Sequence, residues 1–193
     1  MEKSREDAWT LLCEYISNNS LRRHCLSVET AVAAYAGHFG EDVEQWRIVG
    51  LLHDFDYEIH PTLDQHPQEG APILRERGYP EDVIEAILSH ADHLELPRDT
   101  HLKKCLYAVD ELTGFITAVA FVRPSKAVAD VTPAAVRKKM KDKAFARAID
   151  RQAMVEGADL LEMDFDEHIQ FVIDAMTRNA SQLGLARDDA DAS

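Results

Sequence analysis

The chain has 193 residues, of which 46% are hydrophobic, so it is long enough to bury the core of one ordinary domain. Its formal net charge of −14 at pH 7 repels phosphate backbones at long range, which argues against duplex nucleic acid as a partner. A small phosphorylated ligand is still compatible with this charge, because bound metal ions reverse the field locally.

Apolar residues recur at helical spacing along most of the chain, which predicts helices. In chain order the predicted helices cover residues 6–18, 21–39, 42–53, 67–77, 80–93, 100–122, 134–143 and 166–183. Ser20 is the predicted N-cap of the second helix. Because no segment shows sustained alternation of apolar and polar residues, we predict an all-α fold, a compact bundle of about seven or eight helices.

The domain organisation predicted from the sequence is a single domain over residues 1–193. Its functional core covers about residues 20–126, further helices follow over 133–184, and an acidic tail covers 186–193. Neither an internal repeat nor a linker divides the chain. The sequence does not predict the oligomeric state.

Cysteine usage and hydropathy suggest a compartment. Cys13, Cys25 and Cys105 are odd in number and form no CxxC motif, so neither a disulfide framework nor a thiolate zinc site is predicted. No apolar run is long enough to span a bilayer, so we expect no membrane partner. The expected location is a reducing cytoplasm.

The dipeptide His53-Asp54 directly follows the apolar run 48–52. Polar groups beside a core cost free energy unless they are satisfied, and coordination to a cation is one way to satisfy them. An unpaired carboxylate at Asp110 would carry the same cost, because this residue lies inside the predicted apolar helix 100–122. Further histidines with a similar helical context are His24, His66 and His90. Mixed imidazole and carboxylate donors suit Fe, Mn, Co, Ni or Zn.

This ordered series of histidines and aspartates resembles the HD-domain superfamily of metal-dependent hydrolases, over roughly residues 21–126. The resemblance implies that one metal is bound by four of these residues, namely His24, His53, Asp54 and Asp110. Family members with two metals add two histidines, whose positions His66 and His90 match. In such members the HD aspartate bridges the metals, so the resemblance implies a dinuclear site in which Asp54 is the shared ligand.

Other interpretations of individual residues stay open. Any one of these histidines alone would be read as a hydrogen-bonded core residue, and a mononuclear site needs neither His66 nor His90. His93 competes with His90, since both lie on one face of the predicted helix, but His90 is preferred because the apolar residues 86–88 precede it. Asp56 either orients a ligating imidazole or is a solvated loop carboxylate. The remaining histidines are predicted to be surface or supporting groups: His38, His60, His101 and His168.

Basic residues are few, so those that follow the predicted helix 100–122 are candidates for binding a substrate phosphate. Lys126, together with Arg123, is the first choice, and Arg22 or Arg23 is a weaker one. The later lysines 138, 139, 141 and 143 are better explained as a solvated surface.

The leading functional hypothesis is a metal-dependent phosphohydrolase acting on a small phosphomonoester or phosphodiester, nucleotides among them, through a metal-activated water. A second hypothesis is a di-iron oxygenase, because some HD proteins use four histidines and two aspartates for that chemistry. A third is a non-catalytic ligand-binding protein of the same fold. Tyr57 stands where many family members have Lys or Glu, and His90-Ala91 where two-metal phosphodiesterases often have a His pair.

Overall fold

In a computed structural model of the protein, residues 3–187 are described, and these residues contain ten α-helices and no strand. The prediction of an all-α helical fold is confirmed. The chain divides into two compact units, the first ending at Tyr107 and the second beginning at Ala108. None of the helices in residues 3–187 is long and apolar enough to cross a membrane.

The first unit is built around a central helix, α3. Its helices are α1 (Arg5–Tyr15), α2 (Asn19–Phe39), α3 (Val43–Leu52), α4 (Gly70–Glu76), α5 (Glu81–Leu88) and the first part of α6 (His101–Phe121), with a 3-10 turn at Asp92–Leu94. Helix α3 packs against α1, α2 and α5. Its buried side chains Val49, Leu51 and Leu52 are almost wholly removed from water, and this burial is the main stabilising contribution of the helix.

A close crossing of α2 and α3 depends on Gly50. A Cβ atom at this position would lie 2.5 Å from Val32 Cγ2 and 2.9 Å from Glu29 Cα, which is closer than van der Waals contact permits. The missing side chain therefore lets the two helices approach closely. Because α2 carries His24 and α3 ends beside His53, this crossing also determines how near the two histidines lie.

A buried carboxylate near the same crossing is neutralised by two arginines. Glu29 is only 3% exposed. It accepts two hydrogen bonds from Arg5, at 2.8 and 2.9 Å, and a third from Arg47 at 2.9 Å. Charge-assisted bonds of this kind offset the cost of removing the carboxylate from water.

The second unit is organised around α9. Its helices are the remainder of α6, α7 (Pro133–Met140), α8 (Arg151–Leu160), α9 (Phe165–Arg178) and α10 (Ala180–Leu183), with a 3-10 turn at Val128–Asp130. Helices α7 and α8 both pack against α9. The inner face of α9 contributes Ile169, Val172 and Met176, each wholly buried.

The helix count is higher than the seven or eight predicted, because the sequence analysis omitted α8. That segment has few large apolar residues, and Gly157 in its middle lowers helix propensity. The reason for the glycine is a close approach, since a Cβ there would lie 2.5 Å from Ala108 Cα. The predicted helix 166–183 is also divided in two at Asn179, whose side-chain amide donates to the Ala175 carbonyl at 3.2 Å.

Helix boundaries in the first unit differ from the prediction at two places. The N-cap of α2 is Asn18 rather than Ser20, because the Asn18 carboxamide oxygen accepts from the backbone N–H of Ser20 and of Leu21. Helices α4 and α5 are shorter than predicted, and turns occupy residues 63–69 and 89–90.

The predicted single domain over residues 1–193 stays a prediction, since the two units are described each by itself. The predicted acidic tail, 186–193, lies outside the described residues from position 188 onward.

Candidate metal centre

Five of the predicted metal ligands lie in the first unit, on four different segments. His24 is within α2, whereas His53 caps the C-terminus of α3 and Asp54 follows it in a turn. His66 lies in the turn that precedes α4, and His90 lies in the turn that follows α5. The helices of one small bundle thus direct these side chains to a common point.

Asp54 lies at the centre of this cluster, and its oxygen Oδ2 faces one pair of imidazoles. This atom lies 3.5 Å from His24 Nε2 and 3.4 Å from His53 Nε2. The two imidazole nitrogens are 3.2 Å apart. One ligand atom from each of the three residues lies within 4.8 Å of the others, a grouping that can hold a metal ion.

The other oxygen of Asp54, Oδ1, faces a second pair of imidazoles. It lies 3.1 Å from His66 Nε2 and 3.6 Å from His90 Nε2. These two nitrogens are 3.3 Å apart, and the three residues form a second group of possible metal ligands. Asp54 is therefore common to both groups, with one oxygen turned toward each.

Three of the four imidazoles are oriented through their other ring nitrogen, Nδ1. In His53 this atom donates to the Gly50 carbonyl at 2.9 Å, and in His90 it donates to the Ile87 carbonyl at 2.6 Å. A carbonyl oxygen only accepts, so Nδ1 carries the proton and Nε2 presents a lone pair. In His66, Nδ1 contacts the Asp56 carboxylate. Metal-ligating histidines are held in the same way, so the residues present fit a metal ion.

Asp56 supports His66 from a buried position. Its Oδ1 lies 2.8 Å from His66 Nδ1, and the residue is 1% exposed. Oδ2 is buried and has no hydrogen-bond partner among residues 3–187. Gly70 makes room for this carboxylate, because a Cβ there would lie 2.7 Å from Asp56 Oδ2. Of the two interpretations left open for Asp56, the structure shows the orienting contact.

The electrostatics of the cluster favour positive charge. Burial would raise the pKa of the Asp54 carboxyl, but the imidazoles of His53, His66 and His24 hold this pKa well below its usual range. Burial lowers the pKa of His66, but the contacts with Asp54 and Asp56 outweigh this effect and raise the pKa to about 9. In the absence of metal the cluster therefore holds a proton on His66, which a metal ion would displace.

The sixth predicted ligand, Asp110, lies on α6 in the second unit. It is half-buried, and its carbonyl oxygen accepts from Thr113 Oγ1 at 3.0 Å. Its role as a metal ligand stays a prediction.

The predicted phosphate-binding residues also lie in the second unit. Arg123 is half-buried and Lys126 is exposed. The pKa of Asp130 is lowered mainly by its hydrogen bond with Arg187, and the nearby Arg123 charge adds a smaller effect. Phosphate binding by Arg123 and Lys126 stays a prediction.

The other histidines lie outside the two ligand groups. His93 is exposed and contacts Gln68 Oε1 at 3.2 Å, so the structure brings His90 and not His93 to Asp54. His168 was predicted to be a surface or supporting group, but it is wholly buried. Its Nε2–H donates to the Ala108 carbonyl at 3.0 Å, which identifies it as a core residue of the second unit.

Arg98 is a residue near the cluster that sequence reasoning missed. It hydrogen-bonds the backbone of the turn that carries His90. No sequence signal identified it, because it follows Pro97 in a polar stretch. Its partners in the turn are backbone carbonyl groups, which every residue type has.

A comparison with known families covers the segment that carries these residues. The HD domain family model matches residues 21–114, which include all six predicted metal ligands. No solved structure matches the chain significantly.

Curated relatives of the chain include several ribonuclease Y proteins. That of Nitratidesulfovibrio vulgaris is 30% identical over 98 residues, which cover 50% of this chain and 18% of the relative. That of Geobacter metallireducens is 29% identical over 98 residues, again 50% and 18%, and that of Cutibacterium acnes is 32% identical over 74 residues, 37% and 14%. The chain thus spans less than a fifth of the length of these relatives. Residues 21–114 of the chain thus match the HD domain, which is typical of a superfamily of metal-dependent hydrolases.

Proposed function

We propose that the chain is a divalent-metal-dependent phosphohydrolase that acts on a small phosphomonoester or phosphodiester, with nucleotides among the candidates. The observation that carries this proposal is the position of Asp54, whose two oxygens each face a separate pair of imidazole nitrogens. A shared carboxylate of this kind suits two cations held side by side, an arrangement used to displace a leaving group from phosphorus.

The donor set is compatible with two ions of Fe, Mn, Co, Ni or Zn. When bound, such ions would supply positive charge for the phosphoryl oxygens and would lower the pKa of water. The chain's own residues direct the donors beforehand, since the Gly50 carbonyl fixes the ring of His53 and Asp56 fixes that of His66. This preorganisation reduces the cost of assembling the site when ions and substrate bind.

Three further residues keep the roles predicted from the sequence. Asp110 is proposed as a metal ligand, and Arg123 and Lys126 are proposed as contacts of the substrate phosphate. Tyr57, 44% exposed, has its ring centroid 5.1 Å from that of His66. An exposed ring beside a ligand is suitably placed to contact the organic part of a substrate.

The name of the curated relatives adds an RNA phosphodiester to the candidate substrates. Similarity to ribonuclease Y over about half of this chain supports hydrolysis of a phosphodiester as one form of the proposed activity. The net charge of −14 argues against duplexes, so a short single-stranded oligonucleotide is the appropriate nucleic-acid probe.

The experiment is a panel of phosphoester substrates assayed with protein purified without oxygen, stripped with chelator and reloaded with each metal. The panel contains aryl phosphomonoesters and phosphodiesters, nucleoside monophosphates and a short single-stranded RNA. Asp54→Ala is the test variant, and Asp64→Ala, an exposed aspartate in the neighbouring turn, is the matched control.

We expect metal-dependent release of phosphate or alcohol by the wild type and by Asp64→Ala, and none by Asp54→Ala. Equal activity in Asp54→Ala and the wild type would contradict the proposal. Iron-loaded protein that consumes oxygen and hydrolyses no member of the panel would favour the oxygenase hypothesis instead.

A further inference from the structure

The turn that carries His90 is not part of a helix, yet it must place one atom accurately. Helix α5 ends at Leu88, and residues 89–90 form a turn. His90 Nε2 nevertheless lies 3.6 Å from Asp54 Oδ1 and 3.3 Å from His66 Nε2. A turn has fewer backbone restraints than a helix, so another group has to hold this segment.

Arg98 donates two hydrogen bonds to this turn and a third to Asp92, just beyond it. Its Nε donates to the Ser89 carbonyl at 2.9 Å, and its Nη2 donates to the His90 carbonyl at 3.1 Å. The same Nη2 donates to Asp92 Oδ1 at 2.7 Å. One planar guanidinium thus binds the carbonyl groups of the two successive peptide bonds that flank His90.

The guanidinium is itself held by an aromatic ring. The Cζ atom of Arg98 lies 3.6 Å from the centroid of the Tyr107 ring, and Tyr107 is 6% exposed. The Tyr107 hydroxyl also contacts Asp92 Oδ2 at 3.4 Å. The Arg98 side chain is 17% exposed, so its contacts are screened less than those of a surface pair. An arginine in this position is stacked on one side and hydrogen-bonded at its edge.

We propose that Arg98 is a positioning residue for the metal ion bound by His66 and His90. It fixes the backbone of residues 89–92, and through that backbone it directs Nε2 of His90 toward Asp54. A lysine cannot replace it, because an ammonium group lacks the planar fork that reaches two carbonyls and stacks on a ring.

The two pairs of histidines depend on Arg98 to different extents. His24 lies within α2 and His53 caps α3, so the first pair is positioned by two helices that pack closely. His66 and His90 both lie in turns. Loss of Arg98 should therefore weaken the ion bound by the second pair and leave the ion bound by the first pair in place.

This inference rests on the two-metal site of the proposed function, and its test measures metal binding rather than hydrolysis. Chelator-stripped full-length protein is titrated with Co²⁺ under nitrogen, by calorimetry and by visible absorption. The variants are Arg98→Ala, Arg98→Lys and, as a matched control, Arg75→Ala, an arginine of the same unit that is paired with Glu81 on an exposed surface. Circular dichroism checks that each variant is folded.

We expect two equivalents of Co²⁺ in the wild type and in Arg75→Ala. In Arg98→Ala the second equivalent should bind roughly 10–100-fold more weakly, and the first should bind as in the wild type. Arg98→Lys should show the same selective loss, and added guanidinium ion, at a concentration too low to unfold the protein, should partly restore the second equivalent to Arg98→Ala.

Two equivalents of unchanged affinity in Arg98→Ala would overturn the inference. Equal weakening of both equivalents would also overturn it, since that result indicates a general structural role. The outcomes separate this inference from the proposed function. If the wild type binds two ions, Arg98→Ala loses the second ion and the wild type hydrolyses no phosphoester, the proposed function is refuted and this inference is not.

Discussion

Replacing Gly50 with alanine tests how the crossing of α2 and α3 supports the site. The new Cβ atom would lie 2.5 Å from Val32 Cγ2 and 2.9 Å from Glu29 Cα. Val32 is wholly buried and Glu29 Cα belongs to the backbone, so neither neighbour can give way easily. The helices must separate, and this separation should increase the distance of 3.2 Å between His24 Nε2 and His53 Nε2.

The size of the effect follows from two opposing terms. Overpacking of a core costs about 1–3 kcal/mol, and contact with backbone places this case near 3. Alanine is favoured over glycine inside a helix by about 1 kcal/mol. The expected net loss is therefore about 2 kcal/mol, or a melting temperature lower by about 4–8 °C.

The assay compares Gly50→Ala with Gly37→Ala by urea unfolding and by Co²⁺ titration. Gly37 lies in α2, the helix that crosses α3, but a Cβ there meets no atom of the described residues within 4 Å, so this variant should be as stable as the wild type or slightly more stable. Gly50→Ala should be less stable and should bind the ion of the first pair more weakly. If Gly50→Ala were as stable as Gly37→Ala and bound metal normally, the reasoning would be refuted.

Three further predictions concern single residues. Asp56→Ala removes the partner of His66 Nδ1, so calorimetry should show the second metal ion bound roughly 10–100-fold more weakly. Glu29→Gln leaves two partly exposed arginines without their shared carboxylate, and urea unfolding should show a loss of about 3 kcal/mol. Burial lowers the pKa of His168 to about 4 from an unfolded value of 6.5, so the unfolded state binds more protons between these values. The free energy of unfolding should therefore be unaffected above pH 6.5 and fall by about 3 kcal/mol as the pH drops to 4, a dependence that urea unfolding of His168→Gln should lack.

Much of the metal cluster was predictable because its residues combine a distinctive type with an apolar context. Asp54, His53 and His24 were expected together, and the structure places their ligand atoms within 4.8 Å of one another. The preference for His90 over His93 followed from the apolar residues before it. The structure adds the reason, since the chain turns at Ser89 and carries His93 to the exposed side.

Other features depend on contacts that residue type does not encode. Arg98 acts on backbone carbonyls, so neither its position nor its neighbours in sequence identify its role. Helix α8 has a glycine, Gly157, where the fold needs a close approach to Ala108, and this glycine weakens the sequence pattern that predicts a helix. The burial of His168 depends on a partner 60 residues away along the chain. These cases share a cause, because tertiary contacts overrule local propensity.

The central claim is that Asp54 is shared by two metal ions, and the metal content of purified protein tests it most directly. Protein prepared without oxygen should contain two divalent ions per chain by elemental analysis. His24→Ala and His90→Ala should each retain about one ion, and Asp54→Ala should retain none. Two ions per chain in Asp54→Ala, or a single ion in the wild type that survives in His90→Ala, would contradict a site bridged by this carboxylate.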